Sequence, residues 1–214
     1  MNTVIDLSHP IVEGMPLFPG TLPIKIKQLH VVEKDGFAEK QVTITTHVGT
    51  HLDAPAHMEK NGKTVDQLPV LQFWGSAQVV DVRPFVNEPI PADLIENALN
   101  DDPPDFLLFY TAFAEKWGTA EYFGRFPVLS LQATDLICNS RLKGIGLDAP
   151  SVDAMDAEVY RVHHKLFAAE KIIVENLTNL HALPPAKFWF GVFPLKVKGA
   201  DGMPVRAVAI LNGE

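Results

Sequence analysis

The chain has 214 residues, of which 47% are hydrophobic and 21% are charged, so it can bury a full core and is expected to form one domain over residues 1–214. Its 26 acidic and 18 basic residues give a net charge of -8, which argues against a nucleic-acid partner, because such partners select a basic patch. No apolar run approaches the roughly 20 residues of a membrane helix, and the first residues lack the features of a secretory signal. We therefore expect a cytoplasmic protein with a small-molecule ligand and no membrane contact.

The predicted elements are many short strands and a few helices, an order typical of a mixed α/β fold rather than of strict βαβ repeats. Helices are predicted at 92–99, behind Pro91 in a favourable N-terminal position, at 131–139, with Ser130 as a cap, and at 156–169. Strands are predicted from their apolar patterns at 4–7, 24–31, 41–46, 77–82, 106–110, 144–147, 171–174, 188–192 and 205–211.

A cluster of polar side chains follows the third predicted strand: His47, His51, Asp53 and His57 all lie within eleven residues. Their odd numbers place them on one face of an extended chain. A straight strand would nevertheless separate His47 from His51 by about 13 Å, whereas two nitrogen ligands of one zinc ion lie no more than about 4 Å apart. We therefore predict that the chain folds back at Gly49. A helix is the weaker alternative, because it would turn Asp53 away from the two histidines.

The predicted strand 41–46 alternates Val42 and Ile44 with polar residues, so it should be half-buried and should present this cluster at its end. A single histidine is more often a hydrogen-bonded structural residue than a ligand, but the density of the cluster favours a metal site. Nitrogen and carboxylate ligands suit zinc, manganese or iron, and we expect Zn²⁺ or Mn²⁺. Cys138 is the only cysteine, so it cannot form an internal disulfide or a thiolate cluster, and it is interpreted as a packed hydrophobe.

The pattern H-x-G-T-H-x-D-x-P-x-H over 47–57 resembles the cyclase family of metal-dependent hydrolases, which includes bacterial kynurenine formamidases (arylformamidases) and isatin hydrolases. Further segments resemble the family in the same order along the chain, at 6–10, 14–20, 146–153 and 175–180. The resemblance implies a strongly bent mixed sheet with few helices, of the swivelling β/α/β type. It also implies a homodimer or a larger homo-oligomer.

The resemblance further implies the site residues. His47, His51 and Asp53 would bind metal, and His57 would act as the catalytic acid/base. Glu175 and a histidine at position 163 or 164 would complete a site that can hold two ions. Without the resemblance, Glu175 would be an unremarkable polar residue at the end of a predicted strand.

Helical periodicity distinguishes the two candidate histidines. His164 falls on the side of Arg161 and Lys165, so His163 is predicted to face inwards and to be the metal ligand. The inward positions follow the spacing i, i+3, i+4, i+7 and i+8: Val159, Val162, His163, Leu166 and Phe167.

Phe18 stands where the resembled kynurenine formamidases carry a substrate-binding tryptophan, and it keeps a stacking face without the indole N–H donor. The expected function is hydrolysis of a C–N amide bond in a small aromatic substrate, either an aryl formamide such as N-formylkynurenine or a cyclic amide. A metal-dependent cyclase or lyase on the same scaffold is one alternative. A non-catalytic protein that binds a metal or a metabolite is the other.

Overall fold

The computed structural model describes residues 3–100 and 102–211, which contain ten β-strands and four α-helices. The helices are α1 (Val32–Asp35), α2 (Ala92–Leu99), α3 (Leu131–Asn139) and α4 (Arg161–Ala168). The strands are β1 (Thr3–Asp6), β2 (Lys25–His30), β3 (Glu39–Thr43), β4 (His51–Asp53), β5 (Trp74–Asp81), β6 (Phe106–Tyr110), β7 (Gly144–Leu147), β8 (Ile172–Glu175), β9 (Phe188–Pro194) and β10 (Gly202–Leu211).

Eight of these strands form one sheet in the order β1-β10-β4-β8-β7-β6-β5-β9, and β10 also pairs with β9, so the sheet closes on itself. The neighbours from β5 to β8 are parallel, whereas β4, β9 and β1 are antiparallel to their partners. The expected mixed sheet, strongly bent and with few helices, is confirmed.

The central strand β6 shows why this sheet forms. Phe106 and Leu108 face the interior enclosed by the sheet, while Leu107 and Phe109 pack against the layer of helices. Because both faces are covered, the strand reads as a continuous apolar run rather than an alternating one. The loops at the ends of these buried strands are therefore held by a rigid scaffold.

Several predicted elements agree closely with the structure. The bounds of α2, α3, β6 and β7 match the prediction, and the Ser130 hydroxyl accepts a hydrogen bond of 3.1 Å from the backbone N–H of Ala133. The helix predicted at 156–169 begins only at Arg161, because the Asp153 carboxylate accepts the backbone N–H groups of Val162 and His163 and so fixes the first turn there. None of the helices among the described residues is long and apolar enough to cross a bilayer.

The prediction for residues 41–46 was right that a strand forms, over 41–43, but wrong about its extent and its burial. The strand found there, β3, ends at Thr43, pairs only with β2 in a separate two-stranded sheet, and is exposed along its whole length. Val42 is 51% exposed, and Ile44 beyond the strand contributes to a small cluster with Met15, Ile24 and Val48. The alternating pattern here belongs to a hairpin whose two strands hydrogen-bond to each other. This hairpin forms without being buried against a second layer. The polar cluster is positioned instead by β4, which is too short to be predicted from periodicity.

Candidate metal centre

Strand β4 lies between β10 and β8 and carries two of the predicted ligands. Its register places His51 opposite Glu175 of β8 and Asp53 opposite Gly202 of β10. His51 and Asp53 are two residues apart, so their side chains leave the same face of the strand. Both are buried, as is Glu175. The sheet thus brings Glu175, which is distant in sequence, beside His51 and Asp53.

Gly49 produces the predicted bend between His47 and His51. Its φ of 60° lies in the left-handed region that glycine adopts at little cost. As a result, Nδ1 of His47 lies 2.6 Å and Nε2 of His51 lies 3.2 Å from the same oxygen, Oδ1 of Asp53. One donor atom from each of these three residues lies within 4.8 Å of the other two, close enough to hold one ion.

A second group of donors is formed by Asp53, His163 and Glu175, again with their donor atoms within 4.8 Å of one another. Nε2 of His163 is 3.4 Å from Oε1 of Glu175. His163 is 3% exposed, whereas His164 is exposed and pairs with Glu59. The predicted inward orientation of His163 is therefore confirmed, but Val159, also predicted to face inwards, precedes the helix and is 55% exposed. Asp53 is common to both groups of donors.

Hydrogen bonds at Nδ1 leave Nε2 as the nitrogen of each buried histidine that would be available to an ion. Nδ1 of His51 lies 2.9 Å from the backbone oxygen of Gly49, which can only accept, so Nδ1 carries the proton. Nδ1 of His163 donates in the same way to Oδ2 of Asp153 over 2.7 Å. In both rings Nε2 is left to face the carboxylates, and this is the arrangement that orients histidines toward a metal ion.

Glu175 supplies the observation that tests whether these residues fit an ion. Its Oε1 is buried and makes no hydrogen bond among the described residues, since the ring nitrogen facing it, Nε2 of His163, is 3.4 Å away. An unsatisfied buried polar atom costs about 1–3 kcal/mol, and a bound cation would remove that cost. Together with the orientation of the histidine Nε2 atoms, this fits a divalent metal ion held by nitrogen and carboxylate oxygen.

The pKa values of the histidines in the ion-free site also fit a cation site. Burial lowers the pKa of His47, but Asp53 and Asp201 outweigh it and raise that pKa to about 9. Burial also lowers the pKa of His163, but the carboxylates of Asp153 and Glu175 outweigh it and raise that pKa to about 10. Without an ion, protonated imidazoles thus balance the carboxylates, and a divalent cation can replace those protons.

His57 lies in a short 3-10 helix, Pro55–His57, that follows β4. Its Nδ1 is 3.3 Å from Oδ2 of Asp201, and the same oxygen is 2.9 Å from Nε2 of His47. Burial lowers the pKa of His57, so its ring is neutral near pH 7. Asp201 could not be recognised from local sequence, because the segment 199–202 has two glycines and is typical of a turn.

A second missed residue is Asn176, which follows Glu175 in a left-handed conformation with φ of 56°. Its Nδ2 donates to the backbone oxygen of Gly49 over 2.9 Å, and its Oδ1 accepts the Tyr122 hydroxyl over 2.6 Å. Asn176 therefore holds the carbonyl group to which His51 is bonded. The segment 175–180 resembled the family motif, but nothing in the sequence indicated this contact.

The five predicted ligands, His57 and Asn176 line a cavity of about 340 Å³; Asp201 does not. The volume is at the small end of the range for ligand pockets, about 300–1,000 Å³. Phe18 lines the cavity, as does Phe123, and the two rings meet edge to face with centroids 6.4 Å apart. The remaining apolar lining includes Leu17, Met58 and Tyr160. The site therefore combines polar donors at its base with a largely apolar wall.

The family model for cyclases, described as "Putative cyclase", matches residues 5–154 of this chain. The chain belongs to the cyclase family. The matched region of this cyclase-family protein contains the polar cluster at 47–57 and the segment up to Asp153. His163, Glu175 and Asp201 lie beyond it.

Solved structures resemble the cyclase-family chain over nearly its whole length. Isatin hydrolase A from Ralstonia solanacearum has the same fold, with a TM-score of 0.87 and 24% identity over 99% of this chain and 92% of that one. A predicted metal-dependent hydrolase from Bacillus stearothermophilus gives a TM-score of 0.80 and 28% identity over 98% of both chains. A protein described as a potential metal-dependent hydrolase with cyclase activity gives a TM-score of 0.81 and 28% identity over the full length of both.

Proposed function

We propose that this cyclase-family protein is a metal-dependent hydrolase that cleaves a C–N amide bond in a small aromatic substrate. The observation that carries the proposal is the convergence of His47, His51, Asp53, His163 and Glu175 at the base of a largely apolar cavity that His57 also lines. The resemblance to structures described as metal-dependent hydrolases supports it.

In this proposal two of the three possible groups of donors, the one with His51 and the one with His163, would hold zinc or manganese, and Asp53 belongs to both; the third group is His47, His57 and Asp201. When bound, a divalent ion supplies a Lewis acid that acidifies water and polarises a carbonyl group. Asp153 and the Gly49 carbonyl engage Nδ1 of His163 and of His51, so Nε2 of each ring would be available to hold the ion. The unpaired Oε1 of Glu175 provides a further anionic ligand.

His57 carries the proton in the proposed reaction. Its neutral ring first accepts a proton from the attacking water, as the water oxygen bonds to the carbonyl carbon of the substrate. The ring then gives that proton to the amide nitrogen as the C–N bond breaks, so that the amine leaves neutral and His57 returns to its starting form. Histidine suits both steps because its ordinary pKa lies near neutral pH.

The cavity wall supports a small aromatic substrate. Phe18 and Phe123 offer ring faces and edges at the cavity, and aromatic pairs of this kind favour offset or edge-to-face contacts. An aryl formamide such as N-formylkynurenine and a cyclic amide such as isatin both pair an aromatic ring with an amide carbonyl. We propose both as substrates, with Phe18 contacting the ring. The homodimer implied by the family resemblance remains a prediction.

The experiment is a substrate panel of aryl formamides, cyclic imides and lactones, assayed with protein loaded with zinc or manganese. We expect ring-opened or deformylated products with the loaded protein and none after metal removal. His51→Ala, which removes a predicted ligand, should be inactive, and His164→Ala, which changes an exposed histidine, should be active. Hydrolysis by metal-free protein would contradict the proposal. Dehydration or ring closure as the only reaction would instead support the cyclase or lyase alternative.

A further inference from the structure

Both carboxylate oxygens of Asp201 make hydrogen-bond contacts at the candidate site. Oδ1 accepts the Thr46 hydroxyl over 2.9 Å, which fixes the plane of the carboxylate. Oδ2 faces two ring nitrogens, Nε2 of His47 at 2.9 Å and Nδ1 of His57 at 3.3 Å. One carboxylate therefore contacts both the first predicted ligand and the predicted acid/base.

The backbone around Asp201 is also fixed against the ligand strand. Its carbonyl oxygen accepts the backbone N–H of Ala54, the residue that follows β4, over 2.9 Å. The next residue, Gly202, packs so closely on His47 that an added Cβ would lie 2.5 Å from Cε1 of that ring. The position of Asp201 relative to His47 and His57 is thus set by strand pairing and by close packing.

We propose that Asp201 is a positioning residue that holds His57 with its proton on Nδ1 and its Nε2 free for exchange with a molecule in the cavity. The kinetic tests of this role rest on the proposed hydrolase function, whereas the location of the proton can be measured without it. A carboxylate can only accept, so the ring nitrogen facing it must be the one that carries the proton. The same carboxylate holds the His47 ring through Nε2 and keeps the two rings, whose centroids are 3.9 Å apart, in a fixed relation.

The position of the proton matters because His57 has two nitrogens and only one is engaged. With Nδ1–H on Asp201, Nε2 accepts the proton of water and then returns it to the leaving nitrogen, while the proton on Nδ1 stays in place. Without the carboxylate, the neutral ring can place its single proton on either nitrogen and can rotate. A histidine held by an aspartate in this way is a recurring arrangement in acyl-transfer enzymes.

Asp201→Asn tests the proposal because it keeps the size of the side chain and removes the charge. At saturating zinc we expect the variant to be fully loaded and its KM to stay within about twofold. The value of kcat on an aryl formamide should fall about 10- to 100-fold, as for other residues that orient a catalytic or ligating histidine. The matched control is Asp81→Asn, which removes a solvent-exposed carboxylate paired with Arg83 and should leave kcat unchanged.

A double variant separates positioning from general structural damage. If Asp201 acts through His57, then adding Asp201→Asn to His57→Asn should lower kcat by less than about twofold further, because the group it positions is already absent. If the second substitution lowers kcat by the full factor again, the proposal is overturned.

A direct measurement of the proton requires no turnover. In ¹⁵N-labelled, zinc-loaded protein, the His57 ring is assigned by the signals missing from the spectrum of His57→Asn. We expect the proton on Nδ1 in the wild type and a shift towards Nε2 in Asp201→Asn. An unchanged tautomer overturns the proposal, and so does failure of Asp201→Asn to bind zinc even at saturating concentration, because Asp201 would then be a ligand. If no substrate is hydrolysed, the proposed function fails while this result still stands.

Discussion

Nδ1 of His163 lies 2.7 Å from Oδ2 of Asp153, and the same carboxylate oxygen also accepts the backbone N–H of His163 over 3.1 Å. One aspartate therefore starts the helix and orients the ring that the helix carries. The position of the helix and the direction of Nε2 are coupled through this single side chain.

Asp153→Ala should weaken zinc binding by about 10- to 100-fold, because His163 loses the partner that orients it. It should also lower the free energy of unfolding by about 0.5–2 kcal/mol through loss of the hydrogen bonds at the start of α4. Zinc competition titration and chemical denaturation measure the two effects. Asp156→Ala, on the exposed loop before the helix, is the control, and equal zinc affinity in both variants would contradict the prediction.

His47→Ala, His51→Ala and Asp53→Ala should each sharply reduce bound metal, because each removes a donor from a group of three. Asp53→Ala should have the largest effect, since Asp53 belongs to both groups proposed to hold an ion; the second group that contains His47, with His57 and Asp201, is not proposed to hold one. Elemental analysis of protein purified with excess zinc checks this. Full occupancy in all three variants would remove these residues from the ligand set.

His163→Ala should lose at least one ion and all turnover, whereas His164→Ala should keep both nearly intact. The reason is that His163 is buried beside Glu175, while His164 is exposed and paired with Glu59. The two variants change neighbouring histidines on one helix, so each controls for the other. Equal loss of metal in both would show that the helix face does not determine which histidine acts.

His57→Asn should retain its metal but hydrolyse aryl formamides about 10²–10⁴-fold more slowly, as expected for loss of a general acid/base. The loss should be smaller for an activated phenyl ester, whose leaving group departs without a proton. Steady-state kinetics on both substrate types measure the difference. If the variant is metal-free, or slows equally on both, His57 acts as a ligand or in positioning instead.

Zinc binding should release protons and should strengthen as pH rises. Burial lowers the pKa values of His47 and His163, but the neighbouring carboxylates raise them to about 9 and about 10, so both rings are protonated at pH 7.5 without an ion. Zinc must displace protons from these rings. Calorimetry in buffers of different ionisation enthalpy detects the release, and buffer-independent heats would contradict it.

The same two pKa values determine how the stability of the metal-free protein depends on pH. Both are raised above the ordinary histidine value of 6.5. Their contribution to stability is therefore complete below about pH 6.5 and is lost as pH rises through about 9 to 10. Thermal unfolding of the metal-free protein between pH 6 and 10 should show a falling midpoint.

Sequence patterns predicted the parts of this fold that local physics determines. The periodicity of 92–99 and 131–139 and the cap at Ser130 gave both helices with their observed bounds. The apolar run at 106–110 gave the central strand. The helical phase correctly placed His163 inwards and His164 outwards. In each case a few neighbouring residues contain the signal.

The features that local sequence could not predict depend on contacts between residues far apart in the chain. Alternation at 41–46 could not reveal that β3 lies in a separate exposed hairpin, because the same pattern arises with or without a second layer. Asp201 lies 144 positions beyond His57 and reaches it only because β10 pairs with β4. Asp153 was part of a recognised motif, but its bond to His163 depends on how the loop before α4 folds. No local pattern could predict these juxtapositions.

Strand β10 pairs with β9, β4 and β1, so its ten residues complete the ring of strands on which the candidate centre is built. A nascent chain emerging from the ribosome can form the parallel strands β5 to β8 before residue 201 has been synthesised, but it cannot yet hold β4 between two neighbours. Asp201 and Gly202, the residue that pairs with Asp53, are synthesised only at this late stage, at the start of β10. Because such long-range pairings form slowly, assembly of the centre should be a late event in folding, and cofactor loading should follow synthesis rather than accompany it.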